Sequence, residues 1–484
     1  MKKSILFIVL IISCLWQIRA QSTFFTKTYG HYYTNIGVDV AEISKNQFLV
    51  LGNSSIQDYT YNPVLFLLGD TGQIIKKAEF FSSSIYKANS LMVGQNAYYI
   101  SGITNDSQSN DYEAFIMKID TAYNQVWVKS FGYPEIWDEA ISMIGIGNRI
   151  FVAVNSYETE NLEVMASVYE FSGNGDSLNC IPISMNHATE LKKLKLISDS
   201  VLVFSGTIQE FADSSFTAMI GKLNIHSEDI DFRTYRNVLG ESVAHSFCET
   251  SSGYAICGST KKYFDFSNTD GFLLYLNDSM NYVSDWIVSN TAYNKADDYF
   301  DVVEDFEGNL MVAGRTESFG DGGFDVLLFK CVSGAWFSWS ATIGKDRYDA
   351  GTRLINTLDS SFLAIGETTL NGANNQDILV VKISKEMQFE YEPSHVTSIM
   401  EVDRNFSFRY TNPIVDKCQI YFEESLHIKK VKIMGSDGRL VRELAINSFS
   451  PNISLNLSFL NAGLYFLIIE TDRLHLNCKV LKVE

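Results

Sequence analysis

Carboxylates and aromatic rings are the side chains in this 484-residue chain whose recurrence could do chemistry. Asn35, Lys87, Asp138, Glu190, Glu241, Asp298 and Asp349 recur at long, regular intervals, each just ahead of a short apolar run. Most are acids. If those runs converge, the acids ring one opening and suit a hard cation such as Ca2+ or a polar ligand. The same recurrence suits an architectural role, in which each acid accepts backbone N–H groups and caps its strand. Tyr32, Tyr33, Tyr133, Trp137, Tyr293, Tyr299 and Tyr348 fall in or beside the same loops. Aromatic faces next to carboxylates suit sugar rings, whose C–H faces stack while their hydroxyls hydrogen-bond. Loop aromatics also plug gaps between repeated units, and both readings stand.

A second acidic series, Glu113, Glu163, Asp270, Asp325 and Asp377, opens another recurring run, with Lys118, Lys330 and Lys382 five residues on. These are expected to be structural. Gly320–Asp325 superficially suggests a calcium loop but lacks the alternating acids and the distal Glu, so a turn is expected. The sequence holds no GxSxG elbow and no HExxH pair. His31 and His187 fall in loops without a nucleophile or ligand spacing beside them. A pair of carboxylates could cleave or eliminate across a glycosidic bond, but no pair stands out from so many acids.

The elements that carry these residues are strands. The clearest unit, from Asp301 to Lys345, holds four apolar runs: Asp301–Val303, Leu310–Gly314, Val326–Phe329 and Trp336–Ile343. Each is too short for a helix and is bounded by Gly, Asp or Ser. Four such strands cannot bury both faces of their sheet without neighbours of the same kind. The second run recurs as FLVLGN, YYISGI, FVAVNS, LVFSGT, YAICGS, LMVAGR and FLAIGE, with Gly52, Gly102, Asn155, Gly206, Gly258, Gly314 and Gly366 in the glycine place. The step is about 50 to 56 residues, one propeller blade with its loops. The seventh unit lacks a fourth strand, and Phe25–Gly30 matches the missing piece. The expected fold is all-β: a seven-bladed β-propeller over 21–390 whose N-terminal strand closes the last blade. The repeat resembles the propeller-like repeats of exported proteins in Bacteroidetes-type bacteria. It carries no Asp-box, kelch or WD signature.

Lys2 and Lys3, the apolar run Ile5–Trp16 and the small residue Ala20 read as a signal peptide over 1–20. A lipoprotein box ending at Cys14 is the rival reading. No later run approaches the ~20 apolar residues of a spanning helix. The net charge is −19, and losing Lys2, Lys3 and Arg19 takes it to about −22, which argues against a nucleic-acid partner. Six cysteines remain, in strand-like runs without metal spacing, and read as free buried thiols, with Cys418–Cys478 the one pairing worth testing. Asp120-Thr121-Ala122, Asp176-Ser177-Leu178, Asp199-Ser200-Val201 and Asp278-Ser279-Met280 resemble the O-glycosylation signal of Bacteroidetes envelope proteins, and all lie at expected hairpin turns.

After a polar linker over 391–403, alternating apolar runs with turns at Asp437-Gly438 and Asn461-Ala462-Gly463 predict a small Ig-like β-sandwich over 404–484. Asn412-Pro413, Asp437-Gly438, Gly463 with the run to Ile468, and the final Lys479 to Lys482 resemble the type A C-terminal sorting domain of the type IX (Por) secretion system. Met434-Gly435, Cys418 and Cys478 depart from that pattern without disturbing its buried positions. The resemblance implies recognition by an outer-membrane translocon, removal by a sortase-like protease, and release or attachment to surface lipopolysaccharide. The expected function is a secreted or cell-surface binding module for glycan or protein. An extracellular glycosidase or lyase and a purely structural surface component are the alternatives.

Overall fold

The computed structural model describes residues 24–30, 34–57, 60–80, 85–105, 111–158, 164–183, 187–209, 215–261, 269–288, 295–319, 323–331, 339–344, 347–369, 375–385, 387–389, 408–435, 440–471 and 475–483. The chain divides into two compact units, Met1–His395 and Val396–Glu484. The signal-peptide and linker expectations, Cys14, and the turn at Asp437-Gly438 lie outside the described residues.

The first unit contains seven four-stranded antiparallel sheets among its described residues. Their first strands are Asn35–Ser44, Ile85–Val93, Trp137–Ile146, Thr189–Ser198, Ser242–Thr250, Asp297–Glu304 and Ala350–Asn356. Each first strand touches the first strand of the next sheet, and Ala350–Asn356 returns to Asn35–Ser44. The sheets therefore close into a β-propeller-like ring with their first strands innermost. Second and third strands are buried on both faces, so they read as continuous apolar runs rather than alternating ones. Leu310–Thr316 and Asp325–Cys331 show this in the sixth sheet. Outer strands such as Gln125–Phe131 are largely solvated.

The closure follows the sequence expectation. Phe25–Tyr29 pairs antiparallel with Asp377–Ile383 in the seventh sheet, from Phe25 opposite Lys382 to Tyr29 opposite Ile378. Phe25 and Tyr29 pack into a core shared with Val40, Phe66 and Ile365, and the Tyr29 hydroxyl donates to the Gly72 carbonyl at 2.5 Å. The clasp thus covers an edge that would otherwise invite pairing with another chain. Lys382, fully buried, bridges a turn of its own sheet and the first sheet through Asp359 and Asn46, both at 2.7 Å.

Every first strand carries a β-bulge at the same place. The extra residues are Val38, Asn89, Ile141, Lys192, His245, Phe300 and Thr352. A bulge adds one residue against the partner strand and re-aims its side chain. It also explains the recurring glycine. A methyl group at Gly366 would lie 1.8 Å from the Ala350 carbonyl oxygen, and one at Gly102 2.0 Å from that of Lys87. The third sheet corrects the sequence alignment. Val154, opposite Ala140, takes the glycine place there, and Asn155 lies one residue further on, opposite Glu139. Asn155 matches Asn53 instead. Each reaches the neighbouring sheet with a two-way amide fork, Asn53 to Ala88 (both 2.8 Å) and Asn155 to Leu191 (2.8 and 3.0 Å).

The second unit is one five-stranded sheet of Phe408–Tyr410, Lys417–Gly435, Leu440–Asn456, Gly463–Thr471 and His475–Lys482. Two strands are far longer than expected, and the pairing of Lys417–Gly435 with Leu440–Asn456 breaks between Tyr421 and Leu426. Asn412 Oδ1 accepts the Leu481 amide at 2.8 Å, and the Lys482 side chain lies 3.7 Å from Asp416. Cys418 and Cys478 are both free and buried in the core of this unit, together with Ile420, Leu455 and Val480.

Candidate functional site

All seven bulge residues line one cavity of about 360 Å3 on the ring axis. Around them stand Lys87, Glu139, Glu190, Tyr157, Tyr348 and Arg353. The volume falls at the lower end of small-molecule sites. Every sheet contributes, so the site exists only when the ring is closed.

The expected column of polar residues divides into three register positions rather than one. Asn35, Asp138 and Asp349 sit three residues before the bulge and are buried. Lys87, Glu190 and Asp298 sit two before it, where side chains turn toward the axis, and Lys87 and Glu190 line the cavity. Glu241 precedes its strand and pairs with Lys261 at 2.6 Å. One residue in an antiparallel strand reverses the face, so residues that look equivalent by spacing are not equivalent in space. The buried acids serve their own sheets. Asp138 accepts the Ser156 hydroxyl and the Tyr133 amide, and Asp349 accepts the Thr368 hydroxyl and the Thr369 amide at 2.5 and 2.7 Å. Burial pushes Asp138 up to about 6 against the lowering effect of these bonds. Among the described residues no group of His, Cys, Asp or Glu is arranged to hold a metal ion.

The aromatic series also scatters. Tyr348 lines the cavity. Tyr133 and Trp137 are exposed, and Trp137 meets Tyr112 edge-on at 5.0 Å, but neither lines the cavity. Tyr299 is a correction to the ligand-face expectation: it is fully buried between sheets, 4.8 Å from the Phe329 ring. It directly precedes the bulge, where the side chain turns away from the axis. Tyr32, Tyr33 and Tyr293 lie outside the described residues.

The third-strand lysines do not serve the acids that open those strands. Lys330 pairs with Asp305 at 2.7 Å, and Lys118 donates to the Gly173 carbonyl at 2.9 Å.

Around the cavity runs a polar network that the spacing did not reveal. Arg315 reaches Asp298 through Nε at 2.8 Å and Nη2 at 2.7 Å, and the Tyr348 hydroxyl through Nη1 at 2.8 Å. Its guanidinium lies 4.1 Å from the Phe324 ring centroid. Ser259 donates to Asp298 at 2.6 Å and lies 3.0 Å from His245 Nε2. Serine therefore sits between histidine and aspartate, the wrong order for a nucleophile activated by a carboxylate-oriented imidazole. Burial, together with Lys192, Arg315 and Arg353 against Asp298, drives the His245 imidazole down to about 4, so it is neutral. On the adjoining third and fourth sheets Glu190 Oε1 accepts Tyr157 at 2.9 Å and Lys192 at 2.8 Å, and Glu139 accepts Asn89 at 2.8 Å. A faint sequence signal marks these positions. Lys192-Lys193, His245-Ser246 and Thr352-Arg353 place two polar residues together where alternation calls for one.

Residues 409–483 match the family described as the secretion system C-terminal sorting domain, and this segment is a type IX secretion sorting domain. Such a domain implies export to the cell surface or beyond, through contact with the type IX machinery. No curated protein sequence matches the chain. Among solved structures, similarity is found to the β-propeller domain of the Trilobed protease from Pyrococcus furiosus, at 8% identity and a TM-score of 0.41, covering 76% of this chain and 100% of that one. The periplasmic gluconolactonase of Pseudomonas aeruginosa is similar at 10% identity and 0.41, covering 88% and 99%. An acylaminoacyl peptidase from Pyrococcus horikoshii is similar at 9% and 0.41, covering 82% of this chain and 58% of the peptidase.

Proposed function

We propose that this chain, which ends in a type IX sorting domain, is a secreted or surface-displayed seven-bladed β-propeller that binds glycan or protein without turning it over. In this reading residues 1–20 are a leader, 21–390 the propeller, 391–403 a linker and 404–484 the Ig-like address that a sortase-like protease removes. The observation that carries the binding role is the convergence of seven bulge residues, one from each sheet, on one cavity. A bulge weakens its ladder locally, and seven aligned bulges spend that stability on aiming side chains at a single point. Glu190, one of the two carboxylates there, is taken up by Tyr157 and Lys192. A glycan-cleaving enzyme is the second reading, favoured by Glu139 and Glu190 sharing the cavity from adjacent sheets.

The test is a glycan array probed with the purified mature chain, with and without Ca2+, followed by product analysis of every hit. Binding without new reducing ends or unsaturated products is the expected outcome. Turnover replaces this reading with the enzyme. Failure to bind any glycan removes the sugar arm and leaves protein ligands or a structural role.

A further inference from the structure

The cavity carries an imbalance that points to the charge of its ligand. On a chain of net charge −19, its lining holds three cations, Lys87, Lys192 and Arg353, against two carboxylates, Glu139 and Glu190. Lys192 is committed to Glu190 at 2.8 Å. Lys87 makes no hydrogen bond or ion pair with a described residue. Arg353 Nε is buried without a hydrogen-bond partner. Its nearest acid, Asp39, stands 4.0 Å away. The two Asp39 oxygens are already occupied by the amides of Val40 at 3.0 Å and Leu91 at 2.9 Å. The Arg353 side chain is 20% exposed, and its Nη1 donates to the Thr352 carbonyl at 3.1 Å. Nη2 is therefore the end of the guanidinium left for a ligand oxygen, which would add a charge-assisted hydrogen bond.

Two neighbours lie in the same surroundings. His245 is held neutral by burial first, with Lys192, Arg315 and Arg353 acting against Asp298. Lys193, next to the bulge residue Lys192, is enclosed beside Arg353 and Lys195, and burial lowers its pKa despite Asp301 and Asp39. Asp301 is itself engaged by the Ser246 hydroxyl at 2.5 Å and the Leu354 amide at 3.0 Å. Asp301 and Asp39 thus staple adjacent sheets together and also face Lys193, Lys195 and Arg353, while Lys87 and the Nη2 of Arg353 keep no hydrogen-bonded carboxylate of their own. Phe300, Tyr348 and Ile141 give the same cavity apolar and aromatic walls.

We infer that the cavity takes a uronic-acid unit of an acidic glycan, with the sugar carboxylate seated against Lys87 and Arg353 and the ring against the aromatic wall. This rests on the glycan-binding reading and gives it a substrate class. The guanidinium offers Nη2 to one carboxylate oxygen, its Nη1 being held by the Thr352 carbonyl, and Lys87 adds a point charge from the second sheet.

The experiment is calorimetric titration of the full mature chain with a galacturonic-acid trisaccharide, a neutral galactose trisaccharide of the same linkage, and triglutamate. The acidic sugar is expected to bind at least about tenfold tighter than the neutral one, the worth of one charge-assisted hydrogen bond. Lys87→Met is expected to remove about that factor for the acidic sugar and to leave the neutral one unchanged. Lys45→Met, a charge removed from an exposed hairpin, is the control and is expected to change neither. Lys87 makes no side-chain hydrogen bond whose loss would disturb its sheet, although its charge acts on the buried Glu367, and circular dichroism checks that the variant folds. Equal affinity for both sugars overturns the uronate assignment while sparing glycan binding. Tighter acidic binding that ignores Lys87→Met overturns the cavity as its seat. Binding of triglutamate but not of either sugar overturns both this inference and the glycan reading.

Discussion

Gly366→Ala adds a single methyl group and tests whether the bulges shape the cavity. The new Cβ would lie 1.8 Å from the Ala350 carbonyl oxygen, 2.9 Å from its carbon and 3.0 Å from Gly351 Cα. All three are backbone atoms, so no rotamer relieves the contact. The Ala350 peptide has to retreat by about 1 Å or more, and overpacking of this kind costs about 1–3 kcal/mol. Alanine also restricts the unfolded chain, which returns about 0.4–1 kcal/mol. A net loss of about 1–2 kcal/mol is therefore expected in denaturant unfolding of the ring. Ala350 is two residues from Thr352, the bulge residue of this sheet, so the shift also displaces part of the cavity wall. Gly463→Ala is the comparison, because its nearest atoms are on the Tyr465 ring at 3.7 Å. It should leave the transition of its own unit within about 0.5 kcal/mol. A Gly366→Ala chain as stable as the parent would refute the close-approach account of the recurring glycine.

Three further outcomes follow from the same geometry. Burial raises the Asp359 carboxyl, but the bonds from Lys382 and Thr357 outweigh it and hold it at about 2, below its ordinary 3.8. Its contribution is full above pH 3.8 and is lost as the pH falls through about 2, so the penalty of Asp359→Asn, about 1–2 kcal/mol for a carboxylate 17% exposed, should shrink across that window in acid titrations of stability. For His245 the folded value of about 4 lies below the ordinary 6.5, so the unfolded chain binds the extra proton and stability falls as the pH drops from 6.5 toward 4. NMR titration should find this imidazole still neutral at about pH 5.5, and a charged ring there would contradict its enclosure. A chain beginning at residue 34 leaves Asp377–Ile383 as an open edge. It should unfold at lower denaturant and associate with rising concentration in light scattering, whereas a monomer of unchanged stability would show the clasp to be dispensable.

Much of the fold was legible in order along the chain. Strand-length apolar runs, the recurring second strand and the shared ending of Phe25–Gly30 gave the units and their closure, because a buried strand has to be apolar and an unpaired one needs a partner. The C-terminal address was legible through the resemblance of Asn412-Pro413, Gly463 and the final Lys479 to Lys482 to a known sorting domain. The site was much less so. Tyr299 and Phe300 are adjacent aromatics, yet one is core and the other lines the cavity, and only the intervening bulge decides which. Asp298 was visible as a recurring acid, but its partners Ser259, Thr269 and Arg315 come from other strands and loops.

Composition and periodicity alone thus determined that this protein is an acidic, all-β chain of repeated four-stranded units with a separate C-terminal tail. These properties depend on which residues can be buried along one strand at a time. Tertiary structure decided the rest: which face each residue of the first strands presents, that one extra residue per sheet points at a common cavity, and that acids near the axis accept hydrogen bonds from neighbouring sheets while Lys87 and Arg353 reach the cavity. Register and bulge position are set by pairing between strands and packing between sheets, so no single stretch of sequence contains them.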